Sequence, residues 1–435
     1  MMMMMMKPPP LLPAAPAAST TSTTRSQRKR PSLSRAPLII ILVIVLVAVT
    51  QVLCSTELFH SHPPVLLPRY LGESPHDHRS LTPDLRSHLV DCNSLPKSLR
   101  DNDPNRGKPP IWVHITHSEA LQPFYVSLHP QHFDKVRWDI YKQKRYYETK
   151  LEHAFTRVLS SAPPGIRVLD VGGNIGYYAL YSAAFGKGIS VDTFEPNPLN
   201  ILRACEAVHR NGWSHEDTFR RGARRTSLHH QHDSDNPPAI NLWQWGISNI
   251  TGTLKFVENK NPGAGRIIQL GETVDTNRPN IVGAPVPLAV TTLDDFARLR
   301  RWIPVQQQQP QQQLQNARKP RIEILKIDVE THEANVLLGA TALLKSQMIR
   351  HIFVEFARDS DRSLQTKALQ ALIDAGYTLC GWGKFQGPEH GKVPFPVHDH
   401  DNFIDNFFRH FVQTRGIALN MWWQLDAKCR VGSHA

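Results

Sequence analysis

Cysteine is scarce in this chain: five of its 435 residues are Cys. Cys54 lies in an apolar run, and Cys92, Cys205, Cys380 and Cys429 are scattered beyond it. No C-x-x-C pair is present, which excludes the common zinc-binding spacing. The four scattered residues allow at most two disulfides, and their spacing does not decide whether any of them forms.

Acidic residues are missing from the first 37 residues, which contain six basic ones. The net charge of the whole chain is +12, so half of it belongs to this segment. The other basic runs, at 142–145 and 220–225, show no aromatic stacking pattern and match no nucleic-acid-binding motif. We therefore expect no nucleic-acid partner.

One long apolar run, residues 38–54, contains no charged residue. Its length suits a thin bilayer, and all six basic residues precede it, so the positive-inside rule predicts a single-pass membrane helix with a cytosolic N-terminus. Residues 1–37, rich in Met, Pro, Ala, Ser and Thr, are then a disordered cytosolic tail. A cleaved signal peptide is disfavoured because the basic region is long and no small-x-small cleavage site follows.

The rest of the chain is then expected in the lumen of the endoplasmic reticulum or Golgi, with mitochondria as the alternative because the tail also resembles a presequence. Residues 55–110 are rich in Pro and His and predict a stem, and 111–435 predict the catalytic domain. Two polar insertions, at about 213–239 and 304–319, interrupt that domain. The His- and Asp-rich run of the first offers no rigid frame for ligands, and the second is rich in Gln, so we predict no metal site.

Several further elements are expected from local patterns. Residues 138–159 predict one helix, and 239–247 predict a strand that pairs with 251–256 after a turn containing Gly252. The sequon at Asn249 falls in that turn, where we do not expect a glycan. Downstream, strands are expected at 351–356, 377–381 and 416–425, with a helix at 363–375.

The most informative stretch is RVLDVGGNIGYYAL, residues 167–180. An apolar strand, 167–171, leads through Gly172, Gly173 and Gly176 into a helix. Such a turn leaves no room for side chains, and the first turn of the helix points free backbone N–H groups at a ligand. The pattern is typical of the first half of a nucleotide-binding α/β sheet.

The acids around this turn indicate which nucleotide it binds. Glu195 ends the next strand, where an acid can accept both hydroxyls of an adenosine ribose. Asn174 stands where the dinucleotide fingerprint needs a glycine, so a nicotinamide-dependent reductase is the less favoured alternative. Asp170, two residues before the first glycine, suits a cationic ammonium group rather than a pyrophosphate. S-adenosylmethionine has that ammonium, a sulfonium and a ribose, and it is the predicted cofactor.

A second cluster of ionisable residues lies in RIEILKIDVETHEANVLLGA, residues 321–340. A strand leads to Asp328, at the sheet edge where the glycine turn also lies, and a helix begins near His332. Methyl transfer to oxygen requires the acceptor hydroxyl to lose its proton, so Asp328 is the first candidate base, with Glu330 and His332 as further catalytic candidates. The alternative is an acidic strand end that stabilises a helix N-terminus through its dipole.

Six blocks of the chain, in this order, resemble the FkbM family of S-adenosylmethionine-dependent methyltransferases. They are LDVGGNIGYYAL (169–180), FEPNP (194–198), GISNITGTLKF (246–256), VTTLDDF (290–296), LKIDVETHEANVLLGA (325–340) and FVEF (353–356). The resemblance implies a class I, Rossmann-like α/β fold: a seven-stranded, mostly parallel sheet with one antiparallel strand, here preceded by the N-terminal transmembrane helix. It also implies O-methylation of a hydroxyl on a sugar, glycan or other small acceptor.

The resemblance also implies roles for individual residues. The methionine end of the donor is cradled by Asp170, Gly172, Gly173, Asn174 and Gly176; Glu195 holds the ribose with Asn197 nearby; Asp328 and Glu330 face the acceptor. Thr331 departs from the family, which commonly has Gly there, and a β-branched residue can block the backbone conformation that glycine allows. A catalytically silent adaptor that kept the fold is the alternative function.

Overall fold

The computed structural model describes most of the chain beyond residue 84. The described residues are 85–92, 101, 108–116, 122–130, 135–144, 148–213, 238–269, 271–303, 322–357, 360–382, 400–413 and 418–425, and all fall in one unit, 78–435. The predicted tail, membrane helix and most of both insertions lie outside them. Among the residues that the structure describes, no helix is both long enough and apolar enough to cross a membrane.

From residue 111 onward the described chain mixes strands and helices, with five strands in succession between 239 and 291. The strands are β1 (Ile111–Ile115), β2 (Phe124–Leu128), β3 (Arg167–Val171), β4 (Ser190–Phe194), β5 (Ala239–Trp243), β6 (Gly246–Ile247), β7 (Gly252–Asn259), β8 (Arg266–Ile268), β9 (Ile281–Thr291), β10 (Ile322–Ile327), β11 (Ile349–Ala357), β12 (Tyr377–Trp382) and β13 (Ala418–Leu425). The helices are α1 (Leu85–His88), α2 (Lys135–Gln143), α3 (Thr149–Ser161), α4 (Tyr177–Ala184), α5 (Pro198–Arg210), α6 (Leu293–Leu299), α7 (Glu333–Leu338), α8 (Thr341–Lys345), α9 (Arg362–Asp374) and α10 (His400–Gln413). A short 3₁₀ turn, Pro262–Ala264, precedes β8.

Seven strands form the main sheet in the order β12-β13-β11-β10-β3-β4-β5. The pairs from β11 to β5 are parallel, whereas β13 runs antiparallel to both β11 and β12. The predicted mixed sheet with one antiparallel strand is therefore confirmed. The last strand of the chain, β13, enters between β11 and β12 rather than extending the edge.

Apolar side chains cover both faces of this sheet, as a parallel sheet requires. On one face, Phe155, Tyr181 and Leu202 of α3, α4 and α5 belong to one buried cluster. On the other, Phe296 of α6 and Phe403 of α10 belong to a second cluster. Burial on both faces explains why the central strands are short runs of Val, Ile and Leu without strict alternation.

A second sheet of four strands, in the order β6-β9-β7-β8, was not predicted. The expected strand at 239–247 is broken: β5 lies at the edge of the main sheet and β6 in the small one. The expected pairing of 251–256 with it is wrong, because β9 lies between β6 and β7 and pairs Val290 with both Gly246 and Gly252. Asn249 of the sequon lies exposed in the bend between β6 and β7.

Part of the predicted stem belongs to the folded domain. The Val90 N–H donates to the Leu242 carbonyl (2.9 Å), and a disulfide joins Cys92 to Cys205 of α5. His88 stacks on Trp245 with ring centroids 4.6 Å apart. The stem prediction therefore fails for 85–92, because this segment supplies backbone and apolar partners to the outer edge of β5.

The single helix expected over 138–159 is also wrong, because α2 and α3 are separate helices. Lys144, directly after α2, has a φ of 55°, in the left-handed region that ends a helix. The break places Glu148 at the start of α3, close to the carboxyl ends of the main strands.

Candidate active site

A cavity of about 240 Å³ opens at the carboxyl ends of the main parallel strands. The main sheet contributes Gly172, Asn174, Glu195, Asp328, Glu330 and Glu355 to its lining, and the small sheet contributes Trp245, Phe256, Pro262 and Arg266 among others. Ligands of open α/β sheets bind at this edge. One wall is therefore polar and rich in carboxyl groups, and the opposite wall is largely apolar.

The glycine turn after β3 brings bare backbone to the cavity. The N–H groups of Gly172 and Gly173 both donate to the Phe194 carbonyl, at 2.9 and 3.0 Å. Gly172 has a φ of +80°, and a Cβ there would collide with the Asp328 backbone carbonyl. No side chain fits between β3 and β10 at this point, so only glycine allows the two strand ends to approach each other.

Glu195 is held at the end of β4 by three donors. The Asn174 N–H donates to its Oε2 (2.9 Å), and the Asn197 N–H (2.9 Å) and the Asn200 side-chain amide (3.2 Å) donate to Oε1. Burial raises the pKa of Glu195 to about 7, although these donors act in the opposite direction. The carboxyl group is thus fixed in place, and of its roughly four lone-pair sites one, on Oε2, is left for a ligand.

Asn197 and Asn200 also hold the apolar wall in place. Both side-chain amides donate to the Pro262 carbonyl, at 3.1 and 3.2 Å, and Pro262 lines the cavity. Asn197 is in addition the N-cap of α5, since its side chain accepts from the Leu199 N–H at 2.9 Å. The small sheet is thereby attached to the residues that hold Glu195.

Asp170 lies beneath the glycine turn, fully buried. Thr193 Oγ1 donates to its Oδ2 at 3.3 Å, while Oδ1 makes no hydrogen bond and lies 3.7 Å from the Lys326 ammonium. Burial raises the pKa of Asp170, and the Lys326 charge opposes that effect. Asp170 therefore supports the turn from behind and does not line the cavity.

Lys326, buried near the end of β10, links the two strand ends. Its Nζ lies 3.3 Å from Asp328 Oδ2, and the Tyr178 ring centroid is 5.0 Å from it. Burial alone would lower the pKa of this ammonium, but Asp328, Asp170 and Glu148 hold it above its ordinary value. A permanent cation therefore stands behind the acidic wall.

Three further glutamates lie around Lys326 and Asp328; Glu330 and Glu355 line the cavity, and Glu148 lies behind it. Burial and the charge of Asp328 raise the pKa of Glu355 to about 9 and that of Glu148 to about 7, and the Asp328 charge also raises the pKa of the exposed Glu330. Glu148 is fixed by Asn420, which donates at 3.2 Å, and by the Tyr178 hydroxyl at 3.3 Å. One lysine is thus surrounded by more carboxyl groups than it neutralises.

The predicted site residues separate into two groups. Gly172, Asn174, Glu195, Asp328 and Glu330 line the cavity, so the structure brings the two sequence clusters together. Asp170, Gly173, Gly176, Asn197 and His332 lie behind its lining. Gly176 is the N-cap of α4, where its Cα faces Ala204 of α5.

His332 has a structural position. The Asn335 amide donates to its Nδ1 (3.1 Å), so the ring donates from Nε2 to Ser248 Oγ (2.9 Å). Burial lowers its pKa to about 4, which keeps the ring neutral. Both ring nitrogens are engaged away from the cavity, and His332 joins α7 to the small sheet rather than facing an acceptor.

Lys326, Glu148, Glu355 and Arg266 were missed by the sequence analysis. A lysine inside an otherwise apolar strand, two residues before Asp328, was a signal for Lys326. No local sequence signal pointed to Glu148 or Arg266, because only long-range packing brings them to the cavity region. Within the described ranges, no group of three or more His, Cys, Asp or Glu residues is arranged to hold a metal ion.

Comparisons with known proteins bear on this site. The family model for the methyltransferase FkbM domain matches residues 170–379, which include both strand ends and the small sheet. This chain carries an FkbM methyltransferase domain. The matched range contains all the cavity residues named above. A comparison with curated protein sequences finds no match.

Solved structures with some likeness to the chain are also methyltransferases. A Streptococcus mutans protein assigned as SAM-dependent has 10% identity and a TM-score of 0.29; the match covers 70% of this chain and about half (53%) of that one. A Haemonchus contortus phosphoethanolamine N-methyltransferase has 9% identity and a TM-score of 0.26, over 65% and 53%. The StiE O-methyltransferase has 10% identity and a TM-score of 0.25, over 68% and 83%. At such TM-scores these likenesses support no conclusion about this chain.

Thr331 is strained. Its φ is 83°, and Glu330 before it has a φ of 51°, so the chain keeps a left-handed conformation without glycine. We predict that Thr331→Gly raises the free energy of unfolding by about 1 kcal/mol, because the strain of a β-branched residue exceeds the entropic cost of glycine. Denaturant unfolding measures this change.

Arg301→Gly is the matched control. Arg301 also has a positive φ (57°) but an unbranched side chain, so a smaller gain is expected. A loss of stability in Thr331→Gly would show that the conformation carries no strain.

Substitution of Gly172 and Gly212 by alanine separates two reasons for a glycine: a close contact with another strand, and a positive φ alone. Both have positive φ, +80° and +71°, but a Cβ at Gly212 meets nothing within 4 Å. We predict that Gly172→Ala lowers the free energy of unfolding by ~3 kcal/mol or more, and Gly212→Ala by ~1 kcal/mol. Equal losses in thermal unfolding would contradict the close approach of Gly172 to Asp328.

Proposed function

We propose that the cavity binds S-adenosylmethionine and that the FkbM domain transfers its methyl group to a hydroxyl of a sugar, a glycan or another small acceptor. The observation that carries the proposal is Glu195, a fixed carboxyl group one strand away from the bare glycine turn. Three donors already occupy Glu195, and the lone pair left on Oε2 is the position at which it can accept a ribose hydroxyl. Its Asn174 contact links that acid directly to the turn.

The residues present fit the donor chemically. A Cβ at Gly172 would collide with the Asp328 carbonyl, so glycine is what allows the ends of β3 and β10 to lie side by side at the cavity. Phe194, Pro196 and Pro262 provide apolar surface around Glu195, which suits an adenine ring. The acidic wall favours a ligand that carries positive charge, as the sulfonium and ammonium of the donor do.

The acceptor side is formed by Asp328 and Glu330. When bound, the donor supplies the electrophilic methyl group, and the chain has to place a hydroxyl in line with it and receive its proton. Asp328 is one-quarter exposed (26%) and faces the cavity. Its pairing with Lys326 orients the carboxylate, so that the second oxygen is available to accept a hydrogen bond from the acceptor hydroxyl. Asp170 and Lys326 act as positioning residues behind it.

We also propose that the domain works in the lumen of the secretory pathway, anchored by a single helix at 38–54 with its N-terminus in the cytosol. The Cys92–Cys205 disulfide supports an oxidising compartment, since such bonds are rare in cytosolic proteins. It joins segments 113 residues apart and is buried against α5. Membrane attachment itself is a proposal from the sequence alone.

Methyl transfer is testable with the full-length chain and methyl-tritiated S-adenosylmethionine. An extract of cellular glycans and lipids is the acceptor pool. We predict labelling by the wild type and a decrease of at least about tenfold in Glu195→Ala, because hydrogen bonds to a charged group are lost. Glu258→Gln on β7, outside the cavity lining, is the control.

Thermal unfolding of each variant shows that it remains folded. Equal labelling by the wild type and Glu195→Ala would overturn the site assignment. Donor binding without transfer to any fraction would instead favour a silent adaptor, and binding of NADH in place of the donor would favour a reductase.

The compartment is tested in sealed microsomes with a C-terminal tag. We predict that protease removes the tag only after detergent is added, and that Cys92 and Cys205 resist alkylation until a reductant is present. A glycan lost in Asn249→Gln would add support, because the sequon lies exposed. Digestion of the tag without detergent would contradict luminal placement.

A further inference from the structure

The cavity has more carboxyl groups than cations. Glu330 and Glu355 line it, and neither side chain makes a hydrogen bond or an ion pair with any of the residues that the structure describes. Lys326, the nearest cation, is engaged with Asp328 and Asp170. Two unpartnered carboxyl groups therefore face the space that a ligand would occupy.

The surroundings of these two groups are mostly acidic. Glu355 faces Asp328 and Lys326 from β10, Glu148 from the start of α3, and Glu330. Glu330 faces Asp328, Lys326 and Glu333 of α7. On the opposite wall, Arg266 is paired through both of its terminal nitrogens with Glu272. Asp328 is already one acidic neighbour, so these surroundings disfavour the ionised forms of Glu330 and Glu355.

A proton is the simplest way to relieve this crowding. Burial raises the pKa of Glu355 to about 9, and the neighbouring carboxylates add to this effect. Glu330 is exposed, and the charges of Asp328 and Glu333 raise its pKa as well. Near pH 7.5 Glu355 therefore holds a proton when no cation is near it, and Glu330 is protonated only in part. A cation placed against them would favour their ionised forms and release protons.

We propose that Glu330 and Glu355 make the cavity selective for the cationic methyl donor over its neutral thioether product, and that they release protons when the cation binds. The inference rests on the proposed function and adds the basis on which donor and product are distinguished. S-adenosylmethionine and S-adenosylhomocysteine differ by one methyl group and one positive charge. Carboxyl groups that gain charge as the cation enters therefore favour the first ligand.

Calorimetry of the full-length chain tests the proposal without turnover. Each ligand is titrated at pH 7.5 in phosphate and in Tris, whose ionisation enthalpies differ, so the difference in binding enthalpy counts the protons exchanged. We expect S-adenosylmethionine to release more protons than S-adenosylhomocysteine, by up to about one per site. The excess should disappear in the double variant Glu330→Gln/Glu355→Gln.

The ratio of the two dissociation constants is the second readout. In the double variant it should shift towards the product by about tenfold, because the groups that respond to the charge are gone. Glu258→Gln is the matched control and should leave both the ratio and the proton count unchanged. The double variant removes two carboxyl groups and the control removes one, and neither changes the size of a side chain.

Thermal unfolding at two pH values shows whether the variant folds. It also tests, without a ligand, whether Glu355 is protonated in the folded protein. A carboxyl group with a raised folded-state pKa stabilises the fold at low pH, and that stability is lost as pH rises from about 4.5 towards 9. Glu355→Gln should therefore raise the Tm at pH 8 and leave it nearly unchanged at pH 5. If the Tm falls equally at pH 5 and pH 8, Glu355 is not protonated in the folded protein and the proposal is wrong on this point.

The outcomes separate the two proposals. If wild-type protein binds neither ligand, the proposed function fails, and the inference fails with it. If both ligands bind with equal proton release, or the double variant keeps the wild-type ratio, donor binding stands and the role of Glu330 and Glu355 is wrong.

Discussion

A single buried ammonium group holds together the two strand ends on which the cavity is built. Lys326 lies between Asp170, beneath the glycine turn, and Asp328, at the end of β10. A buried lysine is costly unless carboxylates surround it, and their repulsion is costly unless a cation lies among them. Each group therefore requires the others. Removal of the cation would leave Asp170 fully buried without a counter-charge, directly behind the backbone that faces the ligand.

The small sheet converts this edge into a cavity. It is attached through the Asn197 and Asn200 amides, which hold Pro262, and through His332, which joins Ser248 to α7. These contacts use residues next to Glu195 and Asp328, so the apolar wall and the polar wall share supports. That arrangement explains why several motif residues lie behind the lining: they position the groups that face the cavity. The excess of carboxyl groups then suits a cationic ligand.

Local signals were sufficient to predict the glycine turn, Glu195 and Asp328. Each depends on a short run of residues whose pattern of strand, glycine and acid is readable in order. The sequence did not reveal Glu148, because a helix break after Gln143 and a contact with Asn420, 272 residues away, are needed to place it. The small sheet was missed for the same reason: β9 pairs with strands about 40 residues earlier, and the hairpin pattern at 246–256 was misleading. His332 matched a motif, but its ring joins Asn335 to Ser248.

The central claim is that bare backbone at Gly172 and the carboxyl group of Glu195 bind one nucleoside between them. A crystal structure of the chain with S-adenosylhomocysteine tests it most directly. We expect the ribose hydroxyls within hydrogen-bonding distance of Glu195 and the amino-acid end against the turn at 172–174. Density for the nucleoside elsewhere, or side chains filling the cavity at saturating ligand, would contradict the account.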